Sequence, residues 1–414
     1  MCHPAHRPVI SRVYNGRKGR ESTVMRILVL NGGSSSIKFA LYETARDTDP
    51  KILQEGELSN IGSPDQTLEA GGKTIPTTQA EPIHQVLDAI PSDTPIDAVG
   101  YRVVHPGPRI HDHARITPQL LDDLQHAVAF APLHIPVAID IIHACMAHYP
   151  SVPHYSCFDT IFHQTMPPEA TTYPIPLNFV GQGVRRYGFH GLSCESVIYQ
   201  LRATAGLPLP NRILIAHLGS GCSVTAVVDG KSVDNSMGLT PTGGVVMGTR
   251  PGDLDPGLIF YLLRQPGATI DSVEHMLNHD AGLRALGGVN DMKKLREGAL
   301  RDAKARLAID IFEQSVRRTL GGMAALHGLD ALVFTGGIGE HDPKTRWALG
   351  NGLRGTGLEE AQIDFAASEL PLKGMRKISD EDALYEVFVV PAEEDLMIAL
   401  HVQRMTERTA TNDL

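Results

Sequence analysis

Two stretches of this chain, residues 26–40 (RILVLNGGSSSIKFA) and 212–226 (RILIAHLGSGCSVTA), are variants of one another. Each is a short apolar run that enters a Gly/Ser-rich turn and leaves through a second strand-forming run. The runs are Ile27–Leu30 and Ile37–Leu41 in the first, and Ile213–Ala216 and Val224–Val228 in the second. Allowing one inserted residue, Arg26, Ile27 and Leu28 correspond to Arg212, Ile213 and Leu214, and Gly33 and Ser34 correspond to Gly219 and Ser220. A repeated strand–turn–strand confines the chain to folds with two related halves. Backbone N–H groups at such turns make concave anion sites, so a pair of them suits a molecule that handles ATP. One Gly/Ser turn alone would carry little weight, because such turns are common.

Length agrees with two halves, since 414 residues exceed what one hydrophobic core usually serves. The composition is that of an ordinary globular protein. A formal net charge of −10 argues against nucleic acid as the main partner, and no apolar run approaches the ~18–20 residues that span a bilayer. The five cysteines (Cys2, Cys145, Cys157, Cys194, Cys222) are odd in number and lack C-x-x-C spacing, which fits reduced thiols in a cytoplasm. Residues 1–24 hold four arginines, one acidic residue and no sustained apolar segment, so they do not read as a secretory signal. They read as a disordered or artefactual extension before Met25, with a transit peptide as the alternative.

The remaining pattern is α/β. Short strands are expected over 51–80, Ala98–Val104, Tyr155–Phe158, Ala331–Thr335 and Val387–Val390. Helical spacing covers 82–90, 117–130, 136–147, 256–264, 300–327 and 394–405. Strands followed by helices, twice over, predict two sheets in two α/β domains.

Candidate chemical groups stand at strand ends and in Gly-rich loops, where function tends to be displayed. Arg102 closes a strand within YRVVHPG, His190 lies in RRYGFHG, and Arg250 in VMGTRPGDLDP. A guanidinium suits planar anions such as carboxylate or phosphoryl, although a lone Arg is more often a structural ion pair. His134 in APLHIP has the position of a helix cap. Asp159 in FDTIFH follows a strand and reads as a metal ligand, a base or an N-cap; its spacing to His163 resembles a metal pair, but two ligands do not make a site. TGGIGEH at 335–341 is a strand, a Gly-rich turn and a helix, which lets backbone approach a nucleotide. It is neither a P-loop nor a dinucleotide fingerprint.

Eight segments in order carry a resemblance: LNGGSSSIKF, YRVVHPG, APLHIP, FDTIFH, RRYGFHGLS, HLGSGCSVTAV, SMGLTPTGGVVMGTRPGDLDP and FTGGIGE. From Met25 to about residue 405 the chain resembles the acetate kinase family, part of the superfamily of actin, heat-shock chaperone ATPases and sugar kinases. The resemblance implies two duplicated actin-like (ribonuclease H-like) domains with an interdomain ATP cleft. The first would take 25–165 plus 395–414, and the second 166–394. It also implies reversible, magnesium-dependent transfer of the ATP γ-phosphoryl group to acetate, by direct in-line attack, in a cytoplasmic homodimer. Manganese is an acceptable substitute for magnesium. Propionate kinase is the nearest alternative and a sugar kinase of the same fold a more distant one.

Carried over residue by residue, the resemblance makes Asn31 and Glu394 the magnesium residues, with Glu393 the fallback, and Asp159, His190 and Arg250 the catalytic group. Asp159 is expected to organise magnesium rather than move a proton. Arg102 would bind the acceptor, beside His134 and an apolar pocket of Val104, Leu133, Phe189 and Pro241. Nucleotide contacts would fall on Lys38, on His217, Leu218, Gly219, Ser220 and Gly221, on Asp291, Met292 and Lys293, and on Gly337, Ile338, Gly339, Glu340 and His341. The chain departs from the family pattern at Gly32, Cys194, Ser220, Lys293, His341 and in PAEED (391–395), which bears on the preferred donor more than on the reaction class.

Overall fold

The computed structural model describes residues 24–33, 36–46, 48–77, 81–132, 134–204, 208–353 and 363–412, without the side chains of Phe365 and residues 410–412. Residues 1–23, Ser34 and Leu133, on which expectations above fall, lie outside the described residues. The chain divides into two compact units: the first runs to residue 161 and includes 191–196 and everything from Glu393, and the second holds 162–190 and 197–392.

In the first unit, β1 (Met25–Gly32), β2 (Ser36–Thr44), β3 (Lys51–Ser59), β4 (Thr67–Ala70), β5 (Lys73–Ile75), β6 (Ala98–Val103), β7 (Ala114–Arg115) and β8 (His154–Phe158) form one sheet, in the order β5-β4-β3-β2-β1-β6-β8-β7. The β1–β2 hairpin is antiparallel with Asn31 opposite Lys38, while β6 and β8 run parallel to β1. Central strands read as almost unbroken apolar runs because both faces are covered. Leu28, Leu30, Val99 and Tyr101 join the core that includes Ile135, Ile139 and Ile142 of helix Ile135–His148. Ile27, Val29 and Ala98 are equally buried but lie outside that core. Their face meets the C-terminal helix Glu394–Asn412, for a Cβ on Gly100 would sit 2.7 Å from both Ile398 and Val402. Only glycine admits that helix so close to β6.

In the second unit, β9 (Arg212–Leu218), β10 (Cys222–Val228), β11 (Lys231–Asn235), β12 (Ala331–Thr335), β13 (Arg376–Lys377) and β14 (Glu386–Val389) make a sheet in the order β11-β10-β9-β12-β14-β13. Here too an antiparallel hairpin, β9–β10, is followed outward by two parallel strands. The order β3-β2-β1-β6-β8 of the first sheet thus reappears as β11-β10-β9-β12-β14. The repeat seen in the sequence is a repeat of topology, the duplicated actin-like plan.

Element expectations hold with shifted ends. The 117–130 segment is a helix, Pro118–His126, capped by Thr117 accepting from Leu120 N–H, and then a 3₁₀ turn over Val128–Phe130. The C-terminal helix runs to Asn412 rather than ending near 405. Its threonines Thr406 and Thr409 bond the carbonyls four residues back instead of competing with the helix. The sequence reading names no helix between 265 and 299, where Ile270–His279, Gly282–Gly287 and Met292–Gly298 are helical. They are short, and the first and third are capped by Thr269 with Ser272 and by Asp291.

Candidate active site

The first unit gathers charge at the ends of its central strands. Arg102, next to last in β6, donates from Nε to Oδ1 of Asp159 at 3.1 Å and from Nη2 to Oδ2 at 2.5 Å. Its Nη1 donates to Oδ1 of Asn31, in β1, at 3.3 Å. The Asn31 amide nitrogen donates in turn to Glu394 Oε2 at 3.1 Å and to Asp395 Oδ1 at 3.2 Å. Glu394 lies 3.6 Å from Arg102 Nε and opens the C-terminal helix, whose positive end favours carboxylates. Parallel strands bring residues 31, 102 and 159 to one edge; the helix end adds 394 and 395.

This group holds more negative than positive charge. Burial pushes Asp159 up to about 6, the neighbouring Glu394 adds to the rise, and Arg102 opposes it. Burial and Glu394 raise Asp395 to about 6 as well, against the Asn31 hydrogen bond, Lys38 and Arg102. For Arg102, burial favours the neutral form, but Asp159, Glu394 and Asp395 outweigh it and raise its pKa. Three carboxylates around one guanidinium are relieved by a hard divalent cation, and an oxygen-only donor set fits magnesium better than zinc. Asp395 was missed in the sequence, although PAEED offered three consecutive acids; Glu393, the fallback, sends its N–H to Ser196 Oγ at 3.2 Å.

The second unit offers imidazoles, one guanidinium and backbone. His190 has φ 59° and ψ 31° at the start of helix Gly191–Ala203, and its side chain makes no capping bond. A non-glycine residue in the left-handed region costs about 1–3 kcal/mol and persists only where its surroundings fix it. Those surroundings are specific. His163 donates from Nε2 to the Phe189 carbonyl at 2.9 Å while Nδ1 pairs with Ser232 Oγ at 2.8 Å. Asn235 also donates to the Phe189 carbonyl, at 3.2 Å. Both His163 nitrogens are therefore engaged, and burial lowers it to about 4. It is a structural residue, not the metal partner of Asp159. The His190 ring stacks on His217 with centroids 4.1 Å apart, and its Nδ1 meets Ser223 Oγ at 3.0 Å. Gly221 borders the same spot, where a Cβ would lie 3.2 Å from His190 Nε2 and 3.6 Å from Arg250 Nη1. Arg250 itself donates to the Pro241 carbonyl at 2.8 Å.

The Gly-rich segments converge in the second sheet, because β9 and β12 pair in parallel with His217 opposite Thr335. A Cβ on Gly219 would sit 3.7 Å from the Gly337 nitrogen, and the Gly248 N–H donates to the Ser220 carbonyl at 3.2 Å. Ser220, Gly337, Lys293 and His341 are exposed. Leu218 and Met292 are buried, so they can present only backbone. Glu340 accepts from the Gly336 and Ala392 N–H groups, both at 3.0 Å, and Asp291 caps the helix behind it through Lys294 N–H. Arg346, 2% exposed, supports the turn by donating to the Gly339 carbonyl at 2.8 Å. Of the expected apolar pocket, Val104 lies in the first unit, and Phe189 and Pro241 in the second; all three are buried. His134 holds the N-cap position without a side-chain capping bond, and Lys38 is exposed on β2.

Residues 26–400 match the acetokinase family. The acetate kinase of Nitrobacter hamburgensis is 39% identical over 395 residues, covering 91% of this chain and 95% of that protein. That of Corynebacterium jeikeium is 37% identical over 405 residues, covering 92% and 99%. Among solved structures, a propionate kinase from Francisella tularensis aligns with a TM-score of 0.83 at 35% identity. An acetate kinase from Porphyromonas gingivalis aligns with a TM-score of 0.81 at 31%; each covers 92% of this chain and 100% of the other.

Proposed function

Because the chain belongs to the acetokinase family, we propose that it catalyses ATP + acetate ⇌ ADP + acetyl phosphate, with magnesium. The observation that carries this reading is the Arg102–Asp159–Asn31–Glu394 group, an anion-binding guanidinium set among oxygen ligands. A carboxylate acceptor is ionised at neutral pH and needs no general base. Transfer then depends on alignment and on stabilising charge on the equatorial phosphoryl oxygens.

In this reading Arg102 binds the acceptor carboxylate with the N–H hydrogens that Asp159 and Asn31 leave over. Asn31, Asp159 and Glu394, with Asp395 beside them, would hold the cation, which would supply charge neutralisation at the phosphates. Arg250 and His190 face the transferring group, and the segments 217–221, 291–293 and 337–341 hold the nucleotide. An acceptor oxygen forms the new P–O bond as the bond to ADP breaks, so no phospho-enzyme is required.

Propionate is the second reading, favoured by the likeness to the Francisella tularensis propionate kinase; one methylene changes discrimination by only about 1–3 kcal/mol. We also place the protein in the cytoplasm, in line with the unbridged cysteines Cys145, Cys157, Cys194 and Cys222. A homodimer is supported by the exposed apolar side chains Leu258, Phe260, Tyr261 and Ile270 along one stretch of the second unit. Among the described residues no helix is long and apolar enough to cross a membrane.

The test is ADP release with ATP and magnesium against acetate, propionate, butyrate and glucose, with hydroxylamine trapping any acyl phosphate. The highest kcat/KM with acetate, together with hydroxamate, is the expected result. A propionate optimum would change the acceptor and keep the mechanism, and turnover with glucose alone would overturn the proposal.

A further inference from the structure

One more cluster of ligand-type side chains lies in the first unit. A ring nitrogen of His113, a carboxylate oxygen of Glu195 and a ring nitrogen of His401 come within 4.8 Å of one another. The residue types would suit zinc, but the hydrogen bonds do not. The Phe158 backbone N–H donates to His113 Nδ1 at 3.0 Å, which occupies that lone pair and leaves the ring proton on Nε2. Burial first, with His401 and Arg404 adding to it, lowers His113 to about 2, so the ring is neutral. A histidine that ligates through one nitrogen normally donates from the other; here the other faces a donor. His401 donates from Nε2 to Glu195 Oε2 at 2.8 Å, and its ring lies 4.1 Å from that of His113.

What the cluster touches is the framework of the cation group. Phe158 immediately precedes Asp159. Glu195 lies four residues beyond Gly191, whose N–H donates to the Asp159 carbonyl at 2.8 Å. Ser196 accepts from the Glu393 N–H, beside Glu394. His401 sits on the helix that opens with Glu394 and Asp395. Three separate chain segments are thus tied by side chains behind the carboxylates that need a common geometry.

We propose that Glu195, His401 and His113 are positioning residues, a brace that holds Asp159, Glu394 and Asp395 in register for magnesium. The proposal rests on reading those carboxylates as the cation side of the site.

The test uses the full-length protein as wild type, Glu195→Gln, Glu195→Ala, His401→Ala and the double alanine variant. Two readouts are taken: the magnesium chloride concentration that half-saturates the rise in Tm without substrates, and the one that half-saturates turnover. Each single alanine variant should raise both concentrations about tenfold, the low end of what removal of an outer-shell partner costs in metal affinity. The double variant should lose no more than the worse single variant, and Glu195→Gln, which keeps an acceptor, should stay nearest wild type. A lowered Tm with unchanged magnesium dependence would reduce the cluster to packing and overturn the proposal, as would additive losses. One-to-one zinc binding by the wild type that His401→Ala abolishes would overturn it in favour of a metal site. Absence of turnover in wild type, with the magnesium-dependent Tm rise intact and weakened in the variants, would count against acetate phosphorylation and for the brace.

Discussion

β6 and β12 hold the same place in their sheets, each parallel to the first strand of a central hairpin, yet they deliver different chemistry. β6 carries Arg102 one residue before its end, tied to Asp159 and Asn31. β12 ends in Thr335 and passes into Gly336, whose neighbours are the Leu218 backbone and His217, and then Gly337, which faces open space. The first unit thus presents buried, opposed side-chain charges, and the second presents imidazole, one guanidinium and main-chain N–H groups. A duplicated topology fixes where loops emerge; the side chains at the strand ends decide whether a cation and carboxylate or a polyphosphate suits the place. The two arginines test this contrast most severely. Arg102→Ala and Arg250→Ala should each lower kcat/KM by about 10²–10³ or more, the scale for removing one positioned electrostatic stabiliser. They should part company in stability. Arg102→Ala leaves Asp159, 1% exposed, without its cation, which costs about 3–5 kcal/mol, whereas Arg250→Ala removes a bond to the Pro241 carbonyl. Hydroxamate formation and thermal unfolding on both variants decide it, and equal Tm losses would break the comparison.

A smaller effect is expected where backbone strain supports the second unit. Gly188 has φ +71°, and a Cβ there would lie 2.8 Å from His163 and 2.9 Å from Asn235. Those two side chains fix the Phe189 carbonyl next to His190. Gly188→Ala should therefore cost about 1–3 kcal/mol and lower kcat while the magnesium requirement stays that of wild type. A shifted magnesium requirement with unchanged kcat would assign this segment to the other side of the contrast.

The charge of the first unit makes a pH prediction. A carboxylate raised from 3.8 to about 6 in the folded state binds more protons folded than unfolded between those values. Stability contributed by Asp395 is accordingly present below about pH 4 and lost as pH rises to about 6. In magnesium-free buffer, Asp395→Asn should match wild type in Tm near pH 4, overtake it between pH 4 and 6, and keep that lead at pH 8. Added magnesium at pH 8 should raise the Tm of wild type more than that of the variant. A lead that does not depend on pH would remove the role given to this carboxylate.

The repeat at 26–40 and 212–226 was enough to foresee two related halves, because short apolar runs and small-residue turns are local signals. Asn31, Arg102, Asp159 and Glu394 could be named as a set only through their family resemblance, and the structure does bring them together. Asp395 escaped because nothing local tells which carboxylates of an acidic run will meet Asn31. His163 and Asn235 escaped as supports of His190 because their partners lie tens of residues away, at Ser232 and Phe189. Arg346 escaped for the same reason: its bonds to Gly339 and Ser368 exist only once the helices around it are packed.

The smallest expected effect concerns Glu340, which the resemblance assigns to the nucleotide. One of its oxygens accepts from both the Gly336 and Ala392 N–H groups, so its first duty is to hold the turn after β12 against the segment that leads to Glu393. Glu340→Gln keeps an acceptor oxygen in reach and should cost no more than about 1 kcal/mol, the difference between a charged and a neutral acceptor. Glu340→Ala leaves two N–H groups unpaired and should cost about 1–3 kcal/mol, with a rise of several-fold in the KM for ATP and none in that for acetate. A backbone cradle loses nucleotide affinity when its turn loosens, while Arg102, held by Asp159 and Asn31 in the other unit, keeps its geometry. Equal rises in both KM values would mean that the turn after β12 supports the acceptor as well as the nucleotide.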